Sequence, residues 1–215
     1  MKDLKNLNCL LPKTKSLLLE MVQSCTFLDK YVLVGGSALT LHLCHRKSED
    51  LDFFTFENNF DKKEIFEYLK NFKNKEILNQ TDEQIDLLID GVKVTFFNAN
   101  WKFLKPKNIE MFNLASLSSI AAMKVNVLFL RAKYRDYYDL YFLVKKSMSI
   151  REIFESSLDV IEGINFKLFA VALLYIEDID DDNIEYLEPI EVLDKRIIRD
   201  FFQEELKKQG QRFTL

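Results

Sequence analysis

The sequence predicts an α/β (α+β) fold, a mixed sheet with flanking helices followed by a helical C-terminal half. Three observations lead there. The apolar run at 31–34 meets Gly35-Gly36 and, after a short helical stretch, Leu51-Asp52-Phe53-Phe54, giving the order strand, tight turn, helix, strand. Between 75 and 97, three strand-like segments are separated by short polar turns. From Ser116 onward the apolar spacing is helical. The chain therefore reads as an α/β part at 1–113 and a helical part at 114–215, without repeats or low-complexity segments.

Taken in order, residues 14–25 form an amphipathic helix, 31–34 a strand, 37–44 a helix opened by Ser37, and 51–56 a strand. A further helix starts at Asp61, where Asp61 and Glu64 have the spacing of a capping box. Strands follow at 75–80, 84–89 and 92–97, and Asp90-Gly91 is a strong two-residue hairpin signal because both turn positions need positive φ. Helices are expected at 117–132, 136–146, 150–157, 166–176 and 190–208, the last three opened by Ser149, Asn165 and Pro189.

Apolar residues make up 48% of the 215, enough for a sizeable core. A net charge of -4 argues against a generic nucleic-acid coat, which carries a basic face. Local clusters remain: Lys102, Lys105 and Lys107 around Pro106, and Lys124, Arg131, Lys133 and Arg135 toward the end of one helix. Cys9, Cys25 and Cys44 are odd in number and lack metal-ligand spacing, so no disulfide framework is expected, Cys44 is expected to pack, and a reducing, cytoplasmic setting is the default. The apolar stretch near Leu10 is too short, and too closely flanked by lysines, for a signal peptide. The longest apolar run, 169–176, falls far below the roughly 18 residues that cross a bilayer. Asp178, Asp180 and Asp182 imitate the start of a calcium loop, but Asn183 and Pro189 occupy the glycine and closing-glutamate positions, leaving an exposed acidic turn. His42 and His45 are the chain's two histidines, and no zinc site assembles from them.

The stretch from Gly35 to Asp52 carries the chemistry. Gly35 and Gly36 permit backbone angles and close approaches that a Cβ would block. Ser37 opens a helix whose free amides and positive dipole end suit a phosphate. Asp50 and Asp52, separated by one residue at a strand, point to the same face, with Leu51 turned toward the core. Like charges so close repel unless a cation joins them. A hard divalent ion with oxygen ligands, Mg²⁺ or Mn²⁺, satisfies that arrangement and neutralises nucleotide phosphates.

Gly-Ser followed by Asp-x-Asp at this spacing resembles the nucleotidyltransferase superfamily, and the wider wording is similar to its AbiEii/AbiGii toxin family. The likeness rests on Gly35-Gly36-Ser37-Ala38-Leu39, on Arg46-x-Ser48-x-Asp50-Leu51-Asp52-Phe53-Phe54, on Ile120-Ala121-Ala122-Met123-Lys124, and on Arg135-Asp136-Tyr137-Tyr138-Asp139. It spans residues 30–145 and, more loosely, the remainder. The resemblance implies a polymerase-beta-like catalytic domain in which Asp50 and Asp52 hold Mg²⁺ or Mn²⁺. Gly35, Gly36 and Ser37 would then hold an NTP, with Arg46 and Ser48 as phosphate or loop partners. It also implies an acceptor that is RNA, transfer RNA in some members, or protein, and a toxin role in a toxin-antitoxin or abortive-infection system with an antitoxin partner. The family lysine is Lys124, contributed to the cleft by the helical part, and the family's downstream acid is Asp136 or Asp139.

One departure stands out. Superfamily members add a third carboxylate from a later strand, where this chain has Thr95. A two-residue turn at Asp90-Gly91 pairs Asp86 with Thr95 on one face, their Cβ atoms about 4.5–5.5 Å apart. Asp86 is therefore expected to supply or support the third acid, the alternative being a solvated aspartate. Lys124 lies within an otherwise apolar helix face, where a charge is least welcome, and reads as a point charge for triphosphate oxygens. Asp136 and Asp139 share roughly one helix face; one orients Lys124 or the ribose, while the other caps or pairs with Arg135. Tyr137, Tyr138 and Tyr141 read as packing. Three functional readings follow: an active nucleotidyltransferase, a degenerate relative that binds nucleotide or a partner without turnover, and a kinase-like phosphotransferase on the same fold.

Overall fold

The computed structural model describes residues 6–55, 60–99, 101, 103–104, 106–109, 112–179 and 184–210. The chain divides into two compact units, Met1–Ser116 and Leu117–Leu215.

The first unit is built on a sheet that has seven strands among the described residues. Helix α1 (Pro12–Ser24) starts with Pro12 in the first turn, where its missing N–H is no loss, and buries Leu17, Leu18 and Met21. Strand β1 (Val32–Val34) runs into α2 (Gly35–Leu43), followed by β2 (Leu51–Thr55) and α3 (Lys62–Leu69). The meander β3 (Lys75–Gln80), β4 (Gln84–Ile89) and β5 (Val92–Asn98) comes next, then β6 (Pro106–Ile109) and β7 (Phe112–Ala115). Their order across the sheet is β3-β4-β5-β2-β1-β7-β6. Pairing is antiparallel except for β1 with β7 and β2 with β5.

The Asp90-Gly91 turn takes φ of 50° and 83°, the positive values its hairpin class needs. It fixes the register Ile89 with Val92 and Asp86 with Thr95. That register sends Ile85, Leu87, Ile89, Val92, Val94 and Phe96 to the buried face. There Phe53 stacks on Phe96 at 5.6 Å and Tyr31 meets it edge-on at 5.0 Å. Strand β3 is exposed along its whole length and protects the sheet edge with Lys75, Glu76, Asn79 and Gln80.

Strands β6 and β7 are absent from the pattern reading. Pro106 and the short run after it show no alternation, and β6 forms only because the edge of β7 is open to pair it, a place that tolerates proline. The expected capping box at Asp61 is half present: Asp61 caps the amide of Lys63, but Glu64 turns to Lys30 at 2.8 Å. Residue 56, the expected end of β2, lies outside the described residues, as do Lys102, Lys105, Asp180 and Asp182.

The cysteine expectation is corrected. Cys9 and Cys44 form a disulfide with their Cα atoms 5.5 Å apart, while Cys25 is free and buried, which pushes its thiol up to about 12. The pair meets because Cys44 ends α2 in the left-handed region at φ 46° and Leu10 bridges Ser48, contacts that residue spacing does not encode. With a sequence separation of 35, closing the loop contributes roughly 3–4 kcal/mol. A thiol reductant is expected to lower the melting temperature of the wild type and leave that of Cys9→Ser unchanged in a thermal melt.

The second unit comprises α4 (Leu117–Leu130), α5 (Tyr134–Lys146), α6 (Ile150–Ser157), α7 (Phe166–Leu174) and α8 (Lys195–Gly210). Ser149 forms a full capping box with Glu152, and Asn165 caps α7 through the amide of Leu168. Tyr137 and Tyr138 are fully buried and donate to the carbonyls of Ala172 and Glu191. Helix α8 starts at Lys195 and not at Pro189. The carbonyls of Glu191 and Leu193 are drawn out to the hydroxyls of Tyr138 and Tyr134, which holds that segment out of a helix until Asp194 caps it. Helix α7 stops at Leu174 and tightens into a 3₁₀ turn over Tyr175–Asp178. Among the described residues no helix is long and apolar enough to cross a membrane.

Candidate active site

The sheet unit assembles its polar cluster at the junction of β1, α2 and β2. Val34 is the last residue of β1 and pairs with Asp52, the second residue of β2. Helix α2 therefore begins, at Gly35, directly beside the Asp52 carboxylate. Gly35 has φ of +69°, and a Cβ there would lie 2.5 Å from Asp52 Oδ2. At Gly36 a Cβ would lie 2.8 Å from Arg46 Nη2 and 3.3 Å from Ser48 Oγ. The two glycines thus let a carboxylate and a guanidinium reach the first turn of a helix.

Ser37 is buried and faces inward. Its hydroxyl donates to the main-chain oxygen of Asp50 and lies 3.0 Å from Ser48 Oγ, so it ties the helix to the loop that delivers the aspartates. Arg46 is buried, donates from Nη1 to the Lys47 carbonyl at 2.8 Å, and has its own carbonyl held by Thr40 at 3.2 Å. Asp50 and Asp52 are both half-buried. This cradle fits a Mg²⁺-type ion, which binds through one or two carboxylates and completes its shell with water and substrate phosphates. Among the described residues no group of three His, Cys, Asp or Glu side chains converges on a metal position.

Asp86 lies further along the same face. Register partners Asp52, Thr95 and Asp86 form a row across β2, β5 and β4, which puts Asp86 two strands from Asp52 with Thr95 between them. Thr95 Oγ1 donates to Asp86 Oδ1 at 2.8 Å, Gln84 Nε2 donates to both oxygens at 2.9 and 2.8 Å, and Asn79 Nδ2 donates at 3.3 Å. Burial raises the Asp86 carboxyl, but these hydrogen bonds, with Lys93 nearby, outweigh it and hold the carboxyl below its usual value. Asn79 and Gln84 escape pattern reading; Asn79 arrives through a register shift in β3.

In the helical unit, Lys124 lies between both candidate acids. Its Nζ is 2.9 Å from Asp136 Oδ1 and 2.6 Å from Asp139 Oδ2, with both aspartates at 0% exposure. The second oxygen of Asp136 makes no hydrogen bond and has Arg131 Nη1 3.7 Å away. Both acids therefore hold the lysine, where the sequence left the choice between them open.

This arrangement runs along a chain whose sequence matches the family model "Nucleotidyl transferase AbiEii toxin, Type IV TA system" over residues 17–103 and 102–213. The chain belongs to the AbiEii nucleotidyltransferase toxin family. It is similar to an uncharacterised protein of Aquifex aeolicus, 30% identical over 195 residues, covering 86% of this chain and 94% of the relative. Its fold is similar to that of JHP933 from Helicobacter pylori, with 19% identity, TM-score 0.56 and coverage of 92% and 94%. It is also similar to MenT4, a nucleotidyltransferase toxin of Mycobacterium tuberculosis H37Rv, with 17% identity, TM-score 0.57 and coverage of 87% of this chain and 79% of the other. As an AbiEii-family member the protein is a nucleotidyltransferase on a mixed α/β sheet.

Two consequences for this AbiEii nucleotidyltransferase follow from the geometry. Gly35→Ala would drive a methyl into Asp52, and a misplacement of that size is expected to lower nucleotidyl transfer on the order of 100-fold, measured alongside a melting curve that shows the variant folded. The second concerns acid. The folded-state carboxyl of Asp86 is depressed, so its contribution to stability is present above the ordinary carboxylate value and lost as pH falls through the folded one. Melting temperature against pH is expected to fall less steeply on the acid side for Asp86→Asn than for the wild type.

Proposed function

We propose that the protein transfers a nucleotidyl group from an NTP to a hydroxyl of RNA or protein, using Asp50 and Asp52 as ligands for Mg²⁺ or Mn²⁺. The observation that carries the proposal is the meeting of Asp52 with the first turn of α2 at Gly35, which puts the Asp52 carboxylate beside a helix N-terminus able to accept phosphate. When bound, the divalent ion supplies charge neutralisation for the triphosphate. The chain's own residues do the rest. The α2 amides at Gly35 and Gly36 receive phosphate oxygens, Ser37 and Ser48 brace the turn from beneath, and Arg46 stiffens the loop ahead of Asp50. In the helical unit, Asp136 and Asp139 hold Lys124 as a buried, charge-balanced cation. The acceptor hydroxyl attacks the α-phosphorus, the bond to the β-phosphate bridging oxygen breaks, pyrophosphate leaves, and the hydroxyl proton passes to a nearby base. Family membership supports a toxin role with an antitoxin partner.

The test is incubation with each α-³²P-labelled NTP, Mg²⁺ or Mn²⁺ and total transfer RNA, with RNA omitted in parallel and an Asp50→Ala/Asp52→Ala control. Label on RNA or on protein that vanishes in the control supports transfer and identifies donor and acceptor class. Release of diphosphate in place of pyrophosphate would support the kinase-like reading. Nucleotide binding without label under any condition would support the degenerate one.

A further inference from the structure

The segment 44–50 joins α2 to β2 and delivers Asp50 and Asp52, and residues 6–14 fasten its backbone. The Leu11 amide donates to the Ser48 carbonyl at 2.9 Å, beside the Leu10–Ser48 bridge. Thr14 Oγ1 donates to the Glu49 carbonyl at 2.7 Å, one residue before Asp50. Further back, Asn6 Nδ2 donates to the Leu41 carbonyl in the last turn of α2 at 2.9 Å, and Cys9 is bonded to Cys44. Leu10 and Thr14 are each 1% exposed, so the hydroxyl works in the interior. A threonine in a helix commonly turns its hydroxyl back to its own helix, whereas Thr14 spends it on a segment 35 residues away. Holding a connecting backbone still costs conformational entropy, which these bonds offset.

We propose that Thr14 is a positioning residue for nucleotidyl transfer, acting through the Glu49 carbonyl on the backbone that presents Asp50 and Asp52, and that the Cys9–Cys44 disulfide makes this hold redox-dependent. The inference rests on the reading of Asp50 and Asp52 given above. From α2, Ser37 and Thr40 hold the carbonyls of Asp50 and Arg46; from the N-terminal segment, Leu11 and Thr14 hold those of Ser48 and Glu49. Four carbonyls between 46 and 50 are thus fixed, and the disulfide closes the N-terminal set covalently where the segment begins. A dithiol opens that bond by thiol–disulfide exchange: two electrons and two protons pass to the sulfurs of Cys9 and Cys44, and the dithiol closes to its own disulfide. Oxidised glutathione reverses the step and leaves as two glutathione thiols. With the bond open, Leu11 and Thr14 keep their partners only through hydrogen bonds, and the backbone before Asp50 loosens. A misplacement of about 1 Å remote from the chemistry costs up to about 100-fold in rate.

The test measures kcat and KM for label transfer from α-³²P-NTP to total transfer RNA or protein, together with amide hydrogen exchange, on the full chain. Thr14→Val keeps the shape of threonine without its donor and is expected to lower kcat roughly 10-fold, with KM for the NTP within about 2-fold. Thr14→Ser restores the hydroxyl and is expected to stay within about 2-fold of wild type in both. Exchange in Thr14→Val is expected to quicken over 44–50 alone, whereas mere destabilisation quickens it throughout the sheet unit. Dithiothreitol is expected to lower wild-type kcat roughly 3- to 10-fold and to quicken exchange over the same segment, and oxidised glutathione to restore both. Cys9→Ser is expected to show the reduced rate whether or not reductant is present. Wild-type kcat in Thr14→Val, or exchange raised uniformly, overturns the positioning role. Wild-type kcat unchanged by dithiothreitol overturns the redox dependence. Transfer that survives Asp50→Asn/Asp52→Asn, or its absence from the wild type, overturns the underlying reading and this proposal with it.

Discussion

Lys124→Met is expected to destabilise the helical unit more than any other single change considered. The substitution removes the cation that two fully buried carboxylates share, at 2.9 and 2.6 Å, and leaves both without it. Breaking a buried pair by removing one partner costs about 3–5 kcal/mol, because the remaining charge stays desolvated. For a unit of this size that corresponds to a fall in melting temperature on the order of 10 °C. Two further variants separate charge from shape. Lys124→Arg keeps the charge and is expected to lose less, although a guanidinium does not fit an ammonium's place closely. Combining Lys124→Met with Asp139→Asn is expected to recover part of the loss, a coupling on the order of 1–3 kcal/mol. A Lys124→Met protein that melts with the wild type would mean that the three side chains do not share one charge balance.

Asp52→Asn is expected to have the largest effect on activity and almost none on folding. Asp52 is half-buried, sits against Gly35, and in the proposed reading carries the cation that offsets charge on the phosphates. Loss of that stabilisation amounts to several kcal/mol in the transition state, so nucleotidyl transfer is expected to fall on the order of 1,000-fold. Asparagine preserves size at a half-buried position, so the melting temperature is expected to change little. A loss of activity without a loss of stability marks a residue retained for chemistry. An Asp52→Asn enzyme with wild-type turnover would remove the paired carboxylates from the reaction.

Much of this molecule was legible in residue order. Period-2 alternation from Gln84 to Asn98, interrupted by Asp90-Gly91, sufficed for the β4–β5 register, because a two-residue turn leaves no freedom in how the strands align. Ser149 with Glu152 and Asn165 gave helix starts at the residue, since a cap is a local hydrogen bond. Three features were not legible, for one reason. Strand β6 needs an open partner edge, the Cys9–Cys44 bond needs two distant segments to meet, and the late start of α8 needs tyrosine hydroxyls from another helix. Each is decided by a partner remote in sequence.

The candidate site divides along the same line. The order Gly-Gly-Ser, then Arg-x-Ser-x-Asp-x-Asp, by itself determined the residue types and family, because those residues serve a local turn and a single strand face. Only the tertiary structure decided what each side chain does there. It turned Ser37 inward to the Asp50 carbonyl, seated the Asp52 carboxylate against Gly35, and gave Lys124 to Asp136 and Asp139 together. It also inserted Thr95 between Asp52 and Asp86, with Asn79 and Gln84 closing around the latter. Hydrogen-bond direction and charge balance depend on atoms within a few ångströms, and the residues supplying those atoms come together only when the strands and helices pack.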